Sequence, residues 1–72
     1  MIERDLRLLI EENAIKEVAA LRLPNGRYQV RINGRTLKSA RREVREFARL
    51  DTVAELLSRF DIERFIVMQT ED

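Results

Sequence analysis

The sequence RTLKSARREVREFARLD, residues 35–51, can be interpreted in two ways that lead to different folds, and we call it the decisive stretch. It contains five arginines and one lysine against three acids, and neither glycine nor proline interrupts it. As a helix, it would place its apolar side chains from Leu37 to Ala48 on one stripe, with most of the basic side chains elsewhere. As strands, it would pair with the segment before it, turn near residues 40–43 and return. The residues alone leave both interpretations open.

Two turn signals precede this stretch. The sequence PNG at residues 24–26 separates EVAALRL from RYQVRIN, in which apolar and polar residues alternate as in a half-exposed strand. This pattern predicts a hairpin from about Val18 to Ile32. The dipeptide NG at residues 33–34 is a second hairpin signal, and it leads directly into the basic stretch.

A helix is predicted after the basic stretch, over residues 51–60. Asp51 or Thr52 can serve as its N-cap, and Glu55 completes a Thr-x-x-Glu capping box. The RFIVM sequence at residues 64–68 is apolar on both sides, which favours a central strand covered on both faces.

The N-terminal sequence DLRLLI, residues 5–10, alternates in a way that favours a first strand. A new helix cap at Asp51 is easier to explain after a strand than after an uninterrupted helix. We therefore expect a single α+β domain over residues 1–72, an antiparallel sheet of about five strands with the helix at 51–60 packed on one face. Because one helix covers only one face, the pattern also predicts a homodimer.

Composition argues against several chemistries. The chain has no cysteine and no histidine, so it lacks disulfides and the usual ligands of zinc, haem and iron–sulfur centres. Neither serine has a histidine to activate it, and no glycine-rich phosphate loop is present. We expect no catalytic residues, no cofactor and no metal site. The absence of a long apolar run or a signal-like N-terminus predicts a cytoplasmic protein without a membrane span.

The charge is unevenly distributed along the chain. Between Arg22 and Arg49 there are nine basic residues and two acidic ones, although the formal net charge of the whole chain is only +1. Such asymmetry favours a polyanionic or acidic partner, or head-to-tail association of copies. A solvated surface that keeps the chain soluble explains it equally well. The predicted binding residues share a basic side chain within or beside the decisive stretch; they are Arg31, Arg35, Lys38, Arg41, Arg42, Arg45 and Arg49. Arg41, Arg42 and Arg45 are expected to lie on one exposed patch.

Two binding functions remain open on this evidence. The first is a non-enzymatic adaptor or accessory protein that acts through protein contacts, with a sheet edge available for strand addition. The alternative is a small DNA-binding protein that uses residues 35–49, since arginine can hold phosphate or guanine through two parallel hydrogen bonds.

The sequence from residue 31 to 67 resembles the small ParC-like partition-associated proteins of plasmids and integrative elements. The similar elements are LRLLIEENAI, GRYQVRI, REVREF, LDTVAELL and IERFIV, and together they cover most of the chain. Arg49 and Asp61 depart from the pattern, which often has serine and glycine there. The resemblance implies a role in plasmid or mobile-element maintenance, favours strands over residues 35–48 and carries no catalytic residues.

Overall fold

A computed structural model describes residues 1–70. It shows a four-stranded mixed sheet with the order β3-β2-β1-β4, and two helices. The elements follow in the chain as α1 (Glu3–Glu11), β1 (Val18–Arg22), β2 (Tyr28–Ile32), β3 (Arg35–Thr36), α2 (Leu50–Ser58) and β4 (Ile66–Gln69). The expected α+β class is therefore confirmed. The expectation of about five antiparallel strands and one helix is wrong.

The hairpin predicted from the PNG turn is present. β1 and β2 pair antiparallel, with Val18 opposite Ile32 and Arg22 opposite Tyr28. The NG turn also forms, and its two residues, Asn33 and Gly34, have φ angles of 53° and 81°. Positive φ at both central residues is the signature of a type I′ turn, whose twist matches that of the flanking strands.

The decisive stretch is not helical before residue 50. β3 pairs with β2 for only two residues, after which Leu37 donates its N–H to the Val30 carbonyl at 2.7 Å. The chain then leaves the sheet and returns at Phe47, which exchanges two hydrogen bonds of 2.8 Å with Tyr28. The strand interpretation of residues 35–48 is thus closer, although an excursion replaces the expected fifth strand.

The N-terminal segment is a helix, so the predicted first strand is wrong. Leu6 is fully buried on the sheet side of α1, whereas Leu8, which the strand pattern put on the same side, is 49% exposed. Asp5 stabilises the start of α1, because its carboxylate accepts the Ile2 N–H at 3.0 Å. Ile2 has no side-chain acceptor, so only half of a capping box forms.

The second helix confirms the prediction for residues 51–60 with shifted ends. α2 begins at Leu50, and Arg49 occupies the N-cap position without a side-chain hydrogen bond. The predicted capping box from Thr52 to Glu55 is therefore incorrect. Val53, Leu56 and Leu57 are buried against the sheet.

The core lies between the two helices and one face of the sheet. Its buried residues are Met1, Leu6, Val18, Ala20, Val30, Ile32, Leu37, Phe47, Val53, Leu56 and Leu57. The last strand departs most from expectation. β4 pairs parallel to β1 and lies at the edge of the sheet, and all four of its residues are exposed. RFIVM is therefore an edge strand rather than a central strand covered on both faces.

Candidate functional site

Four of the seven predicted binding residues lie on the excursion between Leu37 and Phe47, which we call the basic hairpin (residues 37–47). Lys38 and Val44 form an isolated antiparallel β-bridge, and Ser39 donates its N–H to the Glu43 carbonyl at 2.7 Å. The Arg42 N–H donates to the Ser39 carbonyl at 2.8 Å and closes the turn. These bonds leave Ala40, Arg41 and Arg42 as a three-residue tip.

The tip carries two adjacent arginines. Arg41 and Arg42 are both exposed, and the ion pairs formed among residues 1–70 involve neither of them. Arg42 has a φ of 65°, in the left-handed region that residues other than glycine and asparagine rarely adopt. Strained residues of this kind are frequent at functional sites.

The base of the hairpin is held by the first residue of the chain. The Met1 ammonium donates to the Thr36 carbonyl at 3.1 Å, and the Lys38 N–H donates to the Met1 carbonyl. Desolvation lowers the pKa of the Met1 ammonium, and repulsion by Arg35, Lys38 and Arg42 lowers it further. These three side chains therefore place positive charge around the Met1 ammonium. With Arg41 at the adjoining tip, we call Arg35, Lys38, Arg41 and Arg42 the basic cluster.

Asp5 is an acid close to this cluster. The pKa of Asp5 is lowered, first by the hydrogen bond from the Ile2 N–H and then by the Met1 ammonium, Arg35 and Arg4, against an opposing effect of desolvation. Asp5 therefore remains charged and offsets part of the positive field. Arg4 belongs to the same surface, and the sequence reasoning missed it because the segment was interpreted as the approach to a strand.

Arg45 lies beside the cluster in a different environment. It is half-buried, 3.7 Å from the Glu3 carboxylate, and its guanidinium lies 5.2 Å from the centre of the Phe47 ring. A groove of about 380 Å³ runs between the start of α1 and the basic hairpin, lined by Ile2, Glu3, Arg4, Lys38, Ser39, Ala40 and Arg45. Arg45 therefore contributes packing and an ion pair at the groove, and its charge is already partly balanced.

The two remaining predicted residues lie elsewhere. By register, Arg31 projects from the face of the sheet opposite the helices, since its β1 partner is Ala19 rather than a residue of the core cluster. Arg49 precedes α2 and lies 3.7 Å from the Asp51 carboxylate, with both side chains largely exposed. Exposed pairs of this kind contribute little to stability, but they reduce the local positive charge.

No family model matches the chain, and neither the curated proteins nor the solved structures include a significant match. The ParC-like resemblance therefore stays a hypothesis based on its sequence motifs. Within residues 1–70, no helix is long and apolar enough to cross a bilayer. The same part of the chain brings together no group of three residues able to hold a metal ion.

The side chains of this surface are of a type that can pair with anions. Guanidinium groups donate several N–H bonds in a fixed plane and pair with carboxylates or phosphates through two parallel hydrogen bonds. The tip lies outside the sheet, so a partner can reach Arg41 and Arg42 from several directions. Ile2 and Ala40 are among the residues that line the groove beside the tip, and they offer apolar surface to an adjoining side chain.

Proposed function

We propose that this protein is a non-enzymatic adaptor that binds an acidic segment of another protein through the basic cluster. The observation that carries the proposal is the tip of the basic hairpin, where Arg41 and Arg42 are exposed without an ion pair to any of residues 1–70. Keeping an arginine at the strained position 42 costs stability. Such a cost is easier to understand if the charge itself is used.

The groove beside the tip favours a protein partner. A bound peptide could place a carboxylate at the tip and an apolar side chain against Ile2 and Ala40. Glu3 in the groove disfavours a second anion there and selects partners with isolated acids rather than continuous ones. The ParC-like resemblance implies a role in mobile-element maintenance, and we propose this role, in the cytoplasm, as the setting of the adaptor.

Duplex DNA is the second candidate. The observation that favours it is that Arg35, Lys38 and Arg42 lie around the Met1 ammonium and, after desolvation, each contribute to lowering its pKa. Residues 35–48 form no helix, so this basic segment cannot enter a major groove as a helix. DNA binding would then depend on phosphate contacts, which weaken steeply with salt.

One titration separates the two candidates. Labelled protein is titrated with an acidic-apolar peptide of alternating glutamate and leucine, and separately with a mixed-sequence duplex, each at about 50 and 200 mM salt. The adaptor proposal predicts peptide binding at both salt concentrations. DNA binding stronger than peptide binding at the higher salt would overturn it in favour of the second candidate.

A charge-reversal pair tests the site. In R41E/R42E we expect peptide affinity to fall at least about tenfold while the melting temperature does not fall. The matched control is R22E/R64E, at the end of β1 and just before β4. It reverses the same number of charges at two exposed arginines outside the basic cluster. Equal losses in both variants would show general electrostatic attraction and contradict the proposed site.

A further inference from the structure

The free edge of β4 is unusually apolar. Ile66, Val67 and Met68 are 52%, 51% and 42% exposed, and β4 has no strand on its outer side within residues 1–70. Edge strands normally carry charges, proline or a bulge that prevents pairing with another chain. β4 has neither charge nor proline from residue 66 to residue 69. By contrast, the other edge is covered, since Met1 bonds to Thr36 and Lys38 beside β3.

The outer edge of β4 carries a symmetric set of backbone N–H and C=O groups that no other strand pairs with among residues 1–70. The Thr70 N–H donates to the Arg22 carbonyl at 3.1 Å, so Thr70 faces β1. Successive residues of a strand direct their backbone N–H and C=O groups to opposite edges of that strand. Ile66 and Met68, at even spacing from Thr70, therefore also direct these groups to β1. The groups of Phe65, Val67 and Gln69 therefore face outward. These three residues are centred on Val67.

The side chains of β4 are apolar on both faces of the sheet. By register, Val67 lies on the helix side, next to Ala20, whereas Ile66 and Met68 lie on the opposite face, next to Ala19 and Leu21. A strand that pairs with β4 must cover apolar side chains on both faces. A second β4 does this, and because the strand is uncharged it brings no like charges opposite one another.

We propose that two copies of this chain associate through an antiparallel β4–β4 pair with Val67 on the two-fold axis. Val67 then exchanges two hydrogen bonds with its own copy, and Phe65 exchanges two with Gln69 on each side of the axis. Ile66 of each copy lies opposite Met68 of the other, on the face of the sheet away from the helices. The inference is independent of the proposed function, because β4 lies at the sheet edge opposite the basic cluster.

The dimer has a defined arrangement and strength. A standard interface buries about 800 Å² per partner, and a single strand pair buries less. We therefore expect a dissociation constant in the micromolar range. The two four-stranded sheets become one, with a β3 at each end. At the usual strand spacing the two outer strands are about 34 Å apart, and a partner with two acidic segments could then bind both basic hairpins.

Sedimentation tests the association. The full chain is measured from about 5 µM to 1 mM, a range that spans a micromolar dissociation constant. We expect reversible dimerisation, and Val67→Lys should raise the dissociation constant at least about tenfold. The matched control is Val44→Lys, because Val44 is 43% exposed but lies in the basic hairpin. A monomer at every concentration, or equal effects of the two lysines, would overturn the inference. Circular dichroism verifies that each variant is folded.

Cysteine cross-linking tests the register, since the natural chain has no cysteine. Oxidised Val67→Cys should form a disulfide-linked dimer, because opposite residues of an antiparallel pair lie within disulfide range. An equimolar mixture of Ile66→Cys and Met68→Cys should give mainly the mixed dimer. Val44→Cys serves as the control for collisional cross-linking. A Val67→Cys yield no higher than that control would exclude the two-fold register.

Discussion

Arg42 holds in the basic hairpin the position that Gly26 holds in the β1–β2 hairpin. In the first loop the Gly26 N–H donates to the Leu23 carbonyl at 2.9 Å, and the Leu23 N–H donates to the Arg27 carbonyl at 2.7 Å. The basic hairpin repeats both bonds from Arg42 and Ser39, at 2.8 and 2.7 Å. The φ angles are 84° at Gly26 and 65° at Arg42. The same loop is therefore built once with the favoured residue and once with a strained one.

Replacing Arg42 by glycine should stabilise the protein. The left-handed conformation costs a residue with a side chain about 1–2 kcal/mol, and the greater freedom of glycine in the unfolded chain returns part of the gain. We expect a net gain of about 1 kcal/mol, or about 4–8 °C in melting temperature. The control is Arg41→Gly, which removes the same charge where φ is not positive. A melting temperature no higher than that of the control would contradict the comparison of the loops.

The hairpins and α2 were predictable because each has a local signal of its own. The PNG and NG turns fix two strand pairs, and the apolar spacing of Val53, Leu56 and Leu57 fixes the buried face of α2. Over six residues, DLRLLI fits both a two-residue and a helical period. The structure resolves this ambiguity through Asp5, which stabilises the helix start.

The position of β4 and the path of the basic hairpin had no comparable signal. An apolar run does not show whether its strand is central or at an edge, because that depends on where the chain crosses the sheet. The strand interpretation placed a turn near residues 40–43, where the structure has it. Position 42 lacks the glycine or asparagine that marks a three-residue loop, so the sequence did not decide between this turn and a helix. Of the predicted binding residues, Arg35, Lys38 and Arg42 converge, whereas Arg31 and Arg49 lie apart.

Asn33 links the type I′ turn to the connection between α1 and β1. Its carboxamide oxygen accepts the N–H groups of Lys16 and Glu17 at 2.8 and 3.0 Å, and its nitrogen donates to the Ala14 carbonyl at 2.9 Å. Asn33→Gly keeps the turn conformation but loses these bonds, so we expect a loss of about 1–3 kcal/mol.

Denaturant unfolding of three variants measures this role. Asn33→Ala should lose about 1 kcal/mol more than Asn33→Gly, because alanine is strained at positive φ. Asn33→Asp keeps both accepted bonds and should lose least. Amide exchange at Lys16 and Glu17 should accelerate in the glycine variant. Unchanged exchange there would mean that the side chain does not hold the connection.

Asp5 should make stability depend on pH in the acid range. Its pKa is lowered in the folded state, mainly by the hydrogen bond from the Ile2 N–H. A carboxyl with a lowered pKa contributes stability above its ordinary value of 3.8, and that contribution is lost as the pH falls through the folded value. The difference in melting temperature between wild type and Asp5→Asn should therefore be present at pH 6 and vanish near pH 2. A constant difference would show that the carboxylate charge is not responsible.

Unpaired and paired arginines should differ in their effect on binding. Arg41 and Arg42 form no ion pair with residues 1–70, whereas Arg45 lies near Glu3 and Arg49 near Asp51. Glutamine at position 41 or 42 should weaken binding of the acidic-apolar peptide more than glutamine at position 49, because the Arg49 charge is already offset by its neighbour.

The glycine variant at position 42 provides the strictest form of this test. It should bind the peptide more weakly than wild type although it is the more stable protein, because one change removes both the strain and the charge. Fluorescence titration and thermal unfolding on the same samples give the two values. If Arg42→Gly were more stable and bound equally well, the charge at this position would not be used for binding. The strained arginine would then have no role in the proposed function, and the binding surface would have to be sought at Arg35 and Lys38.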